Sequence, residues 1–388
     1  MKLKGIKVLD LSLFLPGPMI TQIMADHGAD VIKVEPLNGG EPNRKIGPKR
    51  HGVSVYFSNT HRGKRSIQLN LKTKAGQEIA QRLATEVDVI VESFRPGVTK
   101  RLGVDFETVK GKNPQIVYAS ISAFGQSGPY AKKPAHDLAI QAYSGLLSTN
   151  LGCDGKPAMP GLQSADMLSS LMGLSGILMG LLRREKSGQG DYLDLAMMDT
   201  LISCIPNNLG SVFAHQSDPK VSQERVWGGH AIYNIYETLD RKHIVLGASE
   251  KHFAERILAK FKRPDLLPLC EAPTGPKQDP LKQFLAKKFL ENNQSYWIEW
   301  FEDIDASFAP VKSLKEALKD PQLQYREMIV VDKLGNGHIA TPLKFKEEPG
   351  DINYNAPGLG EHNEEIAKEL GFDEAAITAL KDNGAFGE

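Results

Sequence analysis

The sequence predicts an α/β protein whose larger part is an open, doubly wound sheet of mostly parallel strands. Short apolar runs rich in branched residues alternate with helical patterns through the first half of the 388-residue chain. Gly28 separates the first helical pattern from the second strand, as a residue after a helix C-terminus does. The resulting β-α-β unit implies parallel strands. Because 388 residues exceed one ordinary hydrophobic core, we expect two domains.

The predicted elements of the first half follow one another with short loops. Strands are predicted at residues 6–11, 29–35, 67–71, 87–92, 114–122 and 191–197. Helices are predicted at 19–27, 74–84, 98–102 and 166–185, with a turn at 14–18 (FLPGP) and a loop over 38–65. Gly173, Gly176 and Gly180 recur within the last of these helices. Their spacing allows close backbone approach, so we expect this helix to be central and tightly packed.

A change of composition at residues 215–230 indicates a domain boundary. The stretch HQSDPKVSQERVWGGH is polar and interrupts the apolar periodicity. Beyond it we predict a hairpin at 231–246, helices at about 250–261, 280–291 and 293–303, and a capping box at Ser313 and Glu316. A second hairpin is predicted at about 328–343, and the chain ends in an amphipathic helix at 363–370.

The charge balance predicts neither a nucleic-acid nor a membrane partner. Lys and Arg total 47, as do Asp and Glu, so the formal net charge is zero. The longest apolar run, 171–182, is shorter than a bilayer span requires.

Cys153, Cys204 and Cys270 form neither a disulfide framework nor a metal-ligand pattern. With no signal-peptide pattern at the N-terminus, we expect a cytoplasmic protein without a metal site.

The turn after the first strand argues against dinucleotide chemistry. It reads Pro16-Gly17-Pro18 where a dinucleotide fingerprint would have GxGxxG. Proline has no N–H to donate to a pyrophosphate, so a nicotinamide or flavin enzyme is not predicted. P-loop, GxSxG and HExxH motifs are also missing from the sequence.

A cationic cluster follows in residues 38–65. Two interpretations stay open, a phosphate site and a solvated loop. The cluster consists of Arg44, Lys45, Lys49, Arg50, Arg62, Lys64 and Arg65.

Residues 120–199 offer two candidate acid/base groups. His136, followed by Asp137, lies between a glycine-rich turn and an apolar helical pattern, and Asp166 stands at the start of the long apolar helix. The helix dipole should keep such a carboxylate ionised near neutrality, and free N–H groups of the first turn could polarise a substrate carbonyl. The alternative is that Asp166 is an ordinary N-cap residue without chemistry.

The chain resembles the family III CoA-transferases (CaiB/BaiF type), a group that also contains the α-methylacyl-CoA racemases. The resemblance runs nearly end to end. It rests on VLDLSLFLPGP, ADHGADVIKVE, RGKRSIQLNL, VESFRPGVTKRLG, NPQIVYASISAFGQSGPY, HDLAIQAYSG, SGQGDYLDLAMMD, GGHAIYNIYETLD, FAPVKSLKEALKDP and PGLGEHNEEI in this order.

The resemblance implies a large Rossmann-like domain from residues 1–220, completed by 328–388, and a small α/β domain from 221–327. It also implies an interlocked homodimer with active sites at the dimer and domain interface. Coenzyme A would enter as part of an acyl-CoA substrate, with no tightly bound cofactor. Arg44, Lys72, Phe94 and Arg101 fall at positions that help to hold CoA, where Arg and Lys can pair with its phosphates and an aromatic ring can stack on its adenine.

The two branches of the family use Asp166 differently. In the transferases the matching aspartate is a nucleophile that forms an anhydride and then a thioester. In the racemases it is one of two acid/base groups, and a histidine followed by aspartate, here His136-Asp137, is the other. The racemases pair that histidine with a glutamate in a segment like GAxExxF, which residues 247–253 (GASEKHF) match with Glu250.

We therefore expect a 2-methylacyl-CoA racemase with His136, Asp137, Asp166 and Glu250 in its catalytic machinery. The alternative is a CoA-transferase with Asp166 as the covalent nucleophile. A non-catalytic acyl-CoA binder is the third possibility. No local motif encodes the acyl group.

Overall fold

The computed structural model describes residues 1–152 and 154–387, so that Cys153 lies outside the described residues. The chain divides into two compact units, one formed by Met1–Ile205 with Arg326–Glu388 and the other by Pro206–Tyr325. From the sequence we predicted domain boundaries at residues 220 and 328. The first boundary lies earlier in the structure, between Ile205 and Pro206, just after the helix that follows the last strand of the large sheet.

The strands and helices of both units are numbered in chain order. The strands are β1 (Lys7–Leu11), β2 (Asp30–Glu35), β3 (Lys49–Arg50), β4 (Val53–Ser54), β5 (Arg65–Gln68), β6 (Val89–Glu92), β7 (Val117–Ser122), β8 (Asp191–Ala196), β9 (Tyr233–Glu237), β10 (His243–Gly247), β11 (Phe308–Pro310), β12 (Ile329–Val331) and β13 (Gly337–Ile339). The helices are α1 (Pro16–Asp26), α2 (Val55–His61), α3 (Lys74–Glu86), α4 (Val98–Leu102), α5 (Phe106–Lys110), α6 (Asp137–Tyr143), α7 (Ser164–Ser187), α8 (Met197–Ser203), α9 (Gly210–His215), α10 (Lys251–Lys260), α11 (Leu267–Glu271), α12 (Asp279–Phe289), α13 (Gln294–Phe301), α14 (Leu314–Ala317), α15 (Pro321–Tyr325), α16 (Asn363–Glu369) and α17 (Glu374–Asp382).

The first unit is built on a six-stranded sheet with the order β5-β2-β1-β6-β7-β8, in which the paired strands are all parallel. The strand order reverses between β1 and β6, which creates a topological switch point at the carboxyl ends of these strands. In open α/β sheets ligands bind in the crevice at that point. The predicted α/β class with its mostly parallel sheet is thereby confirmed.

Both faces of the sheet are covered, as parallel sheets require. Successive residues of a strand point to opposite faces. Val8 accordingly belongs to the core under α1 and α7, whereas Leu9 belongs to the core under α3 and the C-terminal helices α16 and α17. Residues from both ends of the chain thus complete one hydrophobic core.

Three local predictions were wrong. The predicted turn at 14–18 is partly helix, because α1 begins at Pro16, and proline is well tolerated in the first helical turn. The loop predicted over 38–65 contains α2, whose N-terminus is capped by the Ser54 side chain. A further helix, α17, follows the predicted last one and is capped by Asp373.

Helix α7 packs as closely as its glycines predict. A Cβ atom on Gly173 would lie 2.6 Å from Cδ1 of Ile20, and one on Gly180 would lie 2.9 Å from Cγ1 of Val117. At 24 residues and a mean hydropathy of 1.5 over its most apolar window, α7 is long and apolar enough to cross a membrane by length and composition alone. The apolar run 171–182 therefore underestimated the length of the apolar helix. The core helix of a soluble protein meets the same criterion.

The second unit contains the antiparallel sheet β11-β10-β9. The predicted hairpin pairs Val245 of β10 with Ile235 of β9. Helices α10, α12 and α13 cover this sheet and contribute Ile257, Leu285 and Trp297 to its buried core.

Candidate active site

A cavity of about 510 Å³ opens at the carboxyl ends of four neighbouring strands of the large sheet. Leu13 follows β1, Ser93 follows β6, Ser122 ends β7 and Met197 follows β8, and all four line this main cavity. The ends of parallel strands meet at one edge of a sheet, which explains why residues so far apart in the sequence share one cavity. His136 and Asp166 line the same cavity.

Asp166 occupies the third position of α7. Its carboxylate accepts no hydrogen bond from residues 1–152 or 154–387, and the N-cap position belongs to Gln163. The interpretation of Asp166 as an ordinary N-cap residue was therefore wrong. Burial, followed by the nearby charge of Asp137, raises the pKa of Asp166 to about 7. The expectation of full ionisation near neutrality was also wrong, because desolvation outweighs the helix dipole here.

Asp137 caps the start of α7 from a distance in sequence. Its Oδ1 accepts hydrogen bonds from the backbone N–H groups of Ala165 at 2.8 Å and Asp166 at 3.2 Å. Its Oδ2 accepts one from Nε2 of Gln141 at 2.7 Å. The N–H groups that we expected to be free for a substrate carbonyl are thus already satisfied. This geometry gives Asp137 a positioning role towards Asp166.

His136 lies at the N-cap position of α6 and is exposed to the main cavity. Its ring meets the edge of the Phe14 ring at 90°, with 5.8 Å between the ring centroids. Phe14 has a φ of 63°, a left-handed conformation that is uncommon for a bulky residue. Its N–H donates to Oε1 of Glu41 at 2.8 Å, and its carbonyl accepts from Nδ2 of Asn43 at 2.7 Å. The sequence analysis missed Phe14, because the conformation depends on these distant partners.

Fully buried charges lie beneath this turn. Asp10 and Lys33 are partners in the β1–β2 register, and the Lys33 ammonium group lies 3.5 Å from Oδ1 of Asp10 and 3.6 Å from Oε2 of Glu41. The Lys64 ammonium group lies 2.9 Å from Oδ2 of Asp10. Burial alone would raise the pKa of Asp10, but Lys33 and Lys64 outweigh it and keep the carboxyl ionised. Lys33 also donates to the Ser12 carbonyl, so this network fixes the β1–α1 turn at the edge of the cavity.

A second cavity, of about 430 Å³, shares Leu13 and Phe94 with the main cavity. Lys72 lines it, as does Leu102 of α4. Two of the predicted CoA-binding residues, Lys72 and Phe94, are therefore brought together. Arg101 lies on α4 next to Leu102 and is exposed.

Arg44 is held by the protein itself. Its guanidinium group makes two hydrogen bonds of 2.7 Å to the Glu35 carboxylate and stacks on Phe57, 3.7 Å from the ring centroid. It also donates to the carbonyl of Pro357. A contact of Arg44 with CoA stays a prediction.

Two interpretations of the cationic cluster were open, a phosphate site and a solvated loop. Neither of them describes the part of the cluster whose charges are paired with carboxylates of the protein. Besides Arg44, which pairs with Glu35, three of its members form ion pairs within the first unit. These pairs are Arg62 with Asp26, Lys64 with Asp10, and Arg65 with Asp30, Glu365 and Glu369.

Glu250 belongs to the second unit, at the N-cap position of α10. Its carboxylate accepts a hydrogen bond from the backbone N–H of Ser249 at 3.0 Å, and this bond lowers the pKa of Glu250. The predicted pairing with His136 of the first unit stays a prediction.

Comparison with known proteins decides the family. The profile of CoA-transferase family III matches residues 3–363. The chain belongs to CoA-transferase family III. Its sequence is 30% identical to the succinyl-CoA:glutarate CoA-transferase of Mus musculus over 98% of this chain and 89% of that protein. It is 31% identical to the acetyl-CoA:oxalate CoA-transferase of Acetobacter aceti over 96% of both.

A solved structure of a CaiB/BaiF family protein from Brucella suis has the same fold, with a TM-score of 0.84. The two sequences are 28% identical, and the match covers 95% of this chain and 99% of the Brucella suis protein. The resemblance inferred from the motifs is confirmed. The expectation of a racemase is not supported by these relatives, which are named as CoA-transferases. Members of this family act on CoA thioesters.

Proposed function

We propose that this protein transfers CoA from an acyl-CoA to a carboxylic acid, with Asp166 as the covalent nucleophile. The observation that carries the proposal is the state of the Asp166 side chain. Asp166 lines the main cavity, and its carboxylate oxygens accept no hydrogen bond from the described residues that would lower their nucleophilicity. With a pKa of about 7, a large fraction is ionised at neutral pH and is less well solvated than a carboxylate in water.

The reaction proceeds in balanced steps. A carboxylate oxygen of Asp166 attacks the thioester carbonyl, the C–S bond breaks, and CoA leaves as a thiolate while an acyl-aspartyl anhydride forms. The thiolate then attacks the aspartyl carbonyl, which releases the first acid and leaves CoA bound to Asp166 as a thioester. The carboxylate of the acceptor acid then attacks the aspartyl thioester, CoA leaves as a thiolate, and an anhydride of Asp166 with the acceptor forms. The thiolate attacks the acceptor carbonyl of this anhydride, which releases the new acyl-CoA and leaves Asp166 as a free carboxylate.

The tetrahedral intermediates of these steps carry negative oxygen atoms. Because Asp137 already occupies the N–H groups at the start of α7, donors for those oxygens must come from elsewhere. His136 lines the same cavity and is suited to donate such a hydrogen bond. The second cavity, with Lys72 and Phe94, is the proposed location of CoA.

The identity of the acceptor is proposed from the relatives. The two enzymes described above are named for the dicarboxylic acids glutarate and oxalate. We therefore propose that a small dicarboxylic acid is the acid substrate of this protein as well.

A homodimer is proposed on the exposed face of α7. Five large apolar side chains on this helix are between 40% and 68% exposed, namely Leu171, Met172, Leu178, Met179 and Leu182. Such a stripe is more apolar than the surface of most monomers. The family resemblance implies an interlocked dimer, and we propose that this stripe forms part of its interface. A measurement of the molecular mass in solution tests whether the protein is a dimer. The predicted cytoplasmic location stays a prediction.

The racemase is the second candidate, and it is favoured by the position of His136. This residue lines the same cavity as Asp166, and two-base racemisation needs an acid/base group on each side of the substrate.

One experiment separates the two functions. The protein is incubated with succinyl-CoA and hydroxylamine, and its peptides are analysed by mass spectrometry. We expect a hydroxamate at Asp166 and transfer of CoA to glutarate, with both lost in Asp166→Asn. In parallel, single-epimer 2-methylacyl-CoAs are incubated in D₂O. Loss of the α-proton that depends on His136, without a hydroxamate, would refute the transferase and support the racemase.

A further inference from the structure

The main cavity contains a cation that forms no ion pair with any of the residues 1–152 and 154–387. Lys133 lines the cavity in the segment that leads to His136. In the part of the chain that the structure describes, its ammonium group forms no ion pair with a carboxylate. Instead it lies 3.9 Å from the centroid of the Tyr130 ring and 5.4 Å from that of Tyr143, and it donates to the Tyr143 hydroxyl at 3.4 Å.

An aromatic cluster holds this lysine in place. Phe124, Tyr130 and Tyr143 contact one another with centroid separations of 5.3 to 5.5 Å. Rings attract an ammonium group through their quadrupole without cancelling its charge. Lys133 is exposed, and its charge remains available to bind an anion.

The position of Lys133 suits the second carboxylate of a diacid. Lys133 and Asp166 line the same cavity, whose volume is about 510 Å³. A diacid that presents one carboxylate to Asp166 keeps its other charge inside the cavity, where an unpaired charge is costly.

The other cation of the main cavity, Arg95, is less suited to this role. It follows Phe94, which both cavities share, and therefore lies towards the proposed CoA site. Both cations line the main cavity and not the second one, but neither sequence neighbour of Lys133 lines the second cavity.

We propose that Lys133 binds the second carboxylate of a dicarboxylic acid substrate and thereby selects diacids over monoacids. This inference rests on the proposed function. It adds the residue that recognises the acid to the nucleophile that reacts with it.

The test compares glutarate with valerate, the monocarboxylic acid of the same chain length, with acetyl-CoA as the donor. The variants are Lys133→Gln, Lys133→Arg and the control Lys132→Gln, which changes an exposed neighbour outside the cavity lining. We expect Lys133→Gln to lower kcat/KM for glutarate by about tenfold to a hundredfold through KM, since a hydrogen bond to a charged group is lost. Valerate should be affected less than twofold, Lys133→Arg should retain part of the selectivity, and Lys132→Gln should match the wild type.

Three results would overturn the inference: equal losses for both acids, an unchanged preference for glutarate in Lys133→Gln, or a wild type that prefers valerate. A raised KM for acetyl-CoA alone would assign Lys133 to CoA and likewise overturn it. The proposed function fails separately, if the wild type forms no hydroxamate at Asp166 and transfers CoA to neither acid. Circular dichroism of each variant confirms that a loss is not due to unfolding.

Discussion

Replacing the proposed nucleophile, Asp166, should make the protein more stable while it abolishes the proposed transfer. Asp166→Asn preserves the shape of the side chain and removes no hydrogen bond between described residues, because the carboxylate accepts none. What it removes is a carboxyl group whose charged form the fold disfavours. Active-site residues that are kept for function commonly behave in this way.

The magnitude follows from the pKa of Asp166. The unfolded chain ionises this carboxyl near 3.8, whereas the folded protein holds the proton until about pH 7. Between these values the folded state binds more protons at Asp166, so the contribution of this group to the free energy of unfolding falls as the pH rises, and that contribution is constant above about pH 7. At 1.36 kcal/mol for each tenfold change in the ionisation constant, the full effect is about 4 kcal/mol. The buried Asn amide has its own desolvation cost, so we expect about 2 to 3 kcal/mol.

The assay is urea unfolding of both proteins between about pH 5 and pH 8, followed by circular dichroism. Tryptophan fluorescence would miss the effect, because Trp227, Trp297 and Trp300 all lie in the second unit. The exposed Asp382→Asn serves as the control. A stabilisation by Asp166→Asn that is larger at pH 5 than at pH 8, or a destabilisation at pH 8, would refute the reasoning.

Two further predictions concern the residue beside Asp166 and the packing at the opposite edge of the sheet. Asp137→Asn removes a charge that raises the pKa of Asp166 but keeps an oxygen for the α7 N–H groups. The acidic limb of the pH–rate profile for transfer should therefore move down by up to about one pH unit, whereas an unchanged limb would show that burial alone sets this pKa. Gly190→Ala should destabilise the protein by about 3 kcal/mol or more in urea unfolding, because its Cβ would lie 1.9 Å from the Ile116 carbonyl oxygen. Gly161→Ala, with open space around it, is the matched control and should change stability by less than about 0.5 kcal/mol.

Local patterns were sufficient for most of the sheet. Branched apolar residues mark β1, β2, β6 and β7, because a strand buried on both faces is mostly apolar. The same patterns failed where a local rule had an exception, as at Pro16, where proline begins a helix instead of a turn. Motif order was specific enough to give the family.

The sequence by itself therefore determined the α/β class, the parallel sheet and the family, and it singled out Asp166 as a candidate catalytic residue. Only the tertiary structure decided the state of that residue. Its pKa depends on burial and on Asp137, whose hydrogen bond to Ala165 spans 28 residues. The same holds for Phe14, whose backbone conformation is fixed by Glu41, and for Lys133, which lies against the rings of Tyr130 and Tyr143. Electrostatic energies and contacts of this kind depend on distances in space between groups far apart in the chain, and no local pattern encodes those distances.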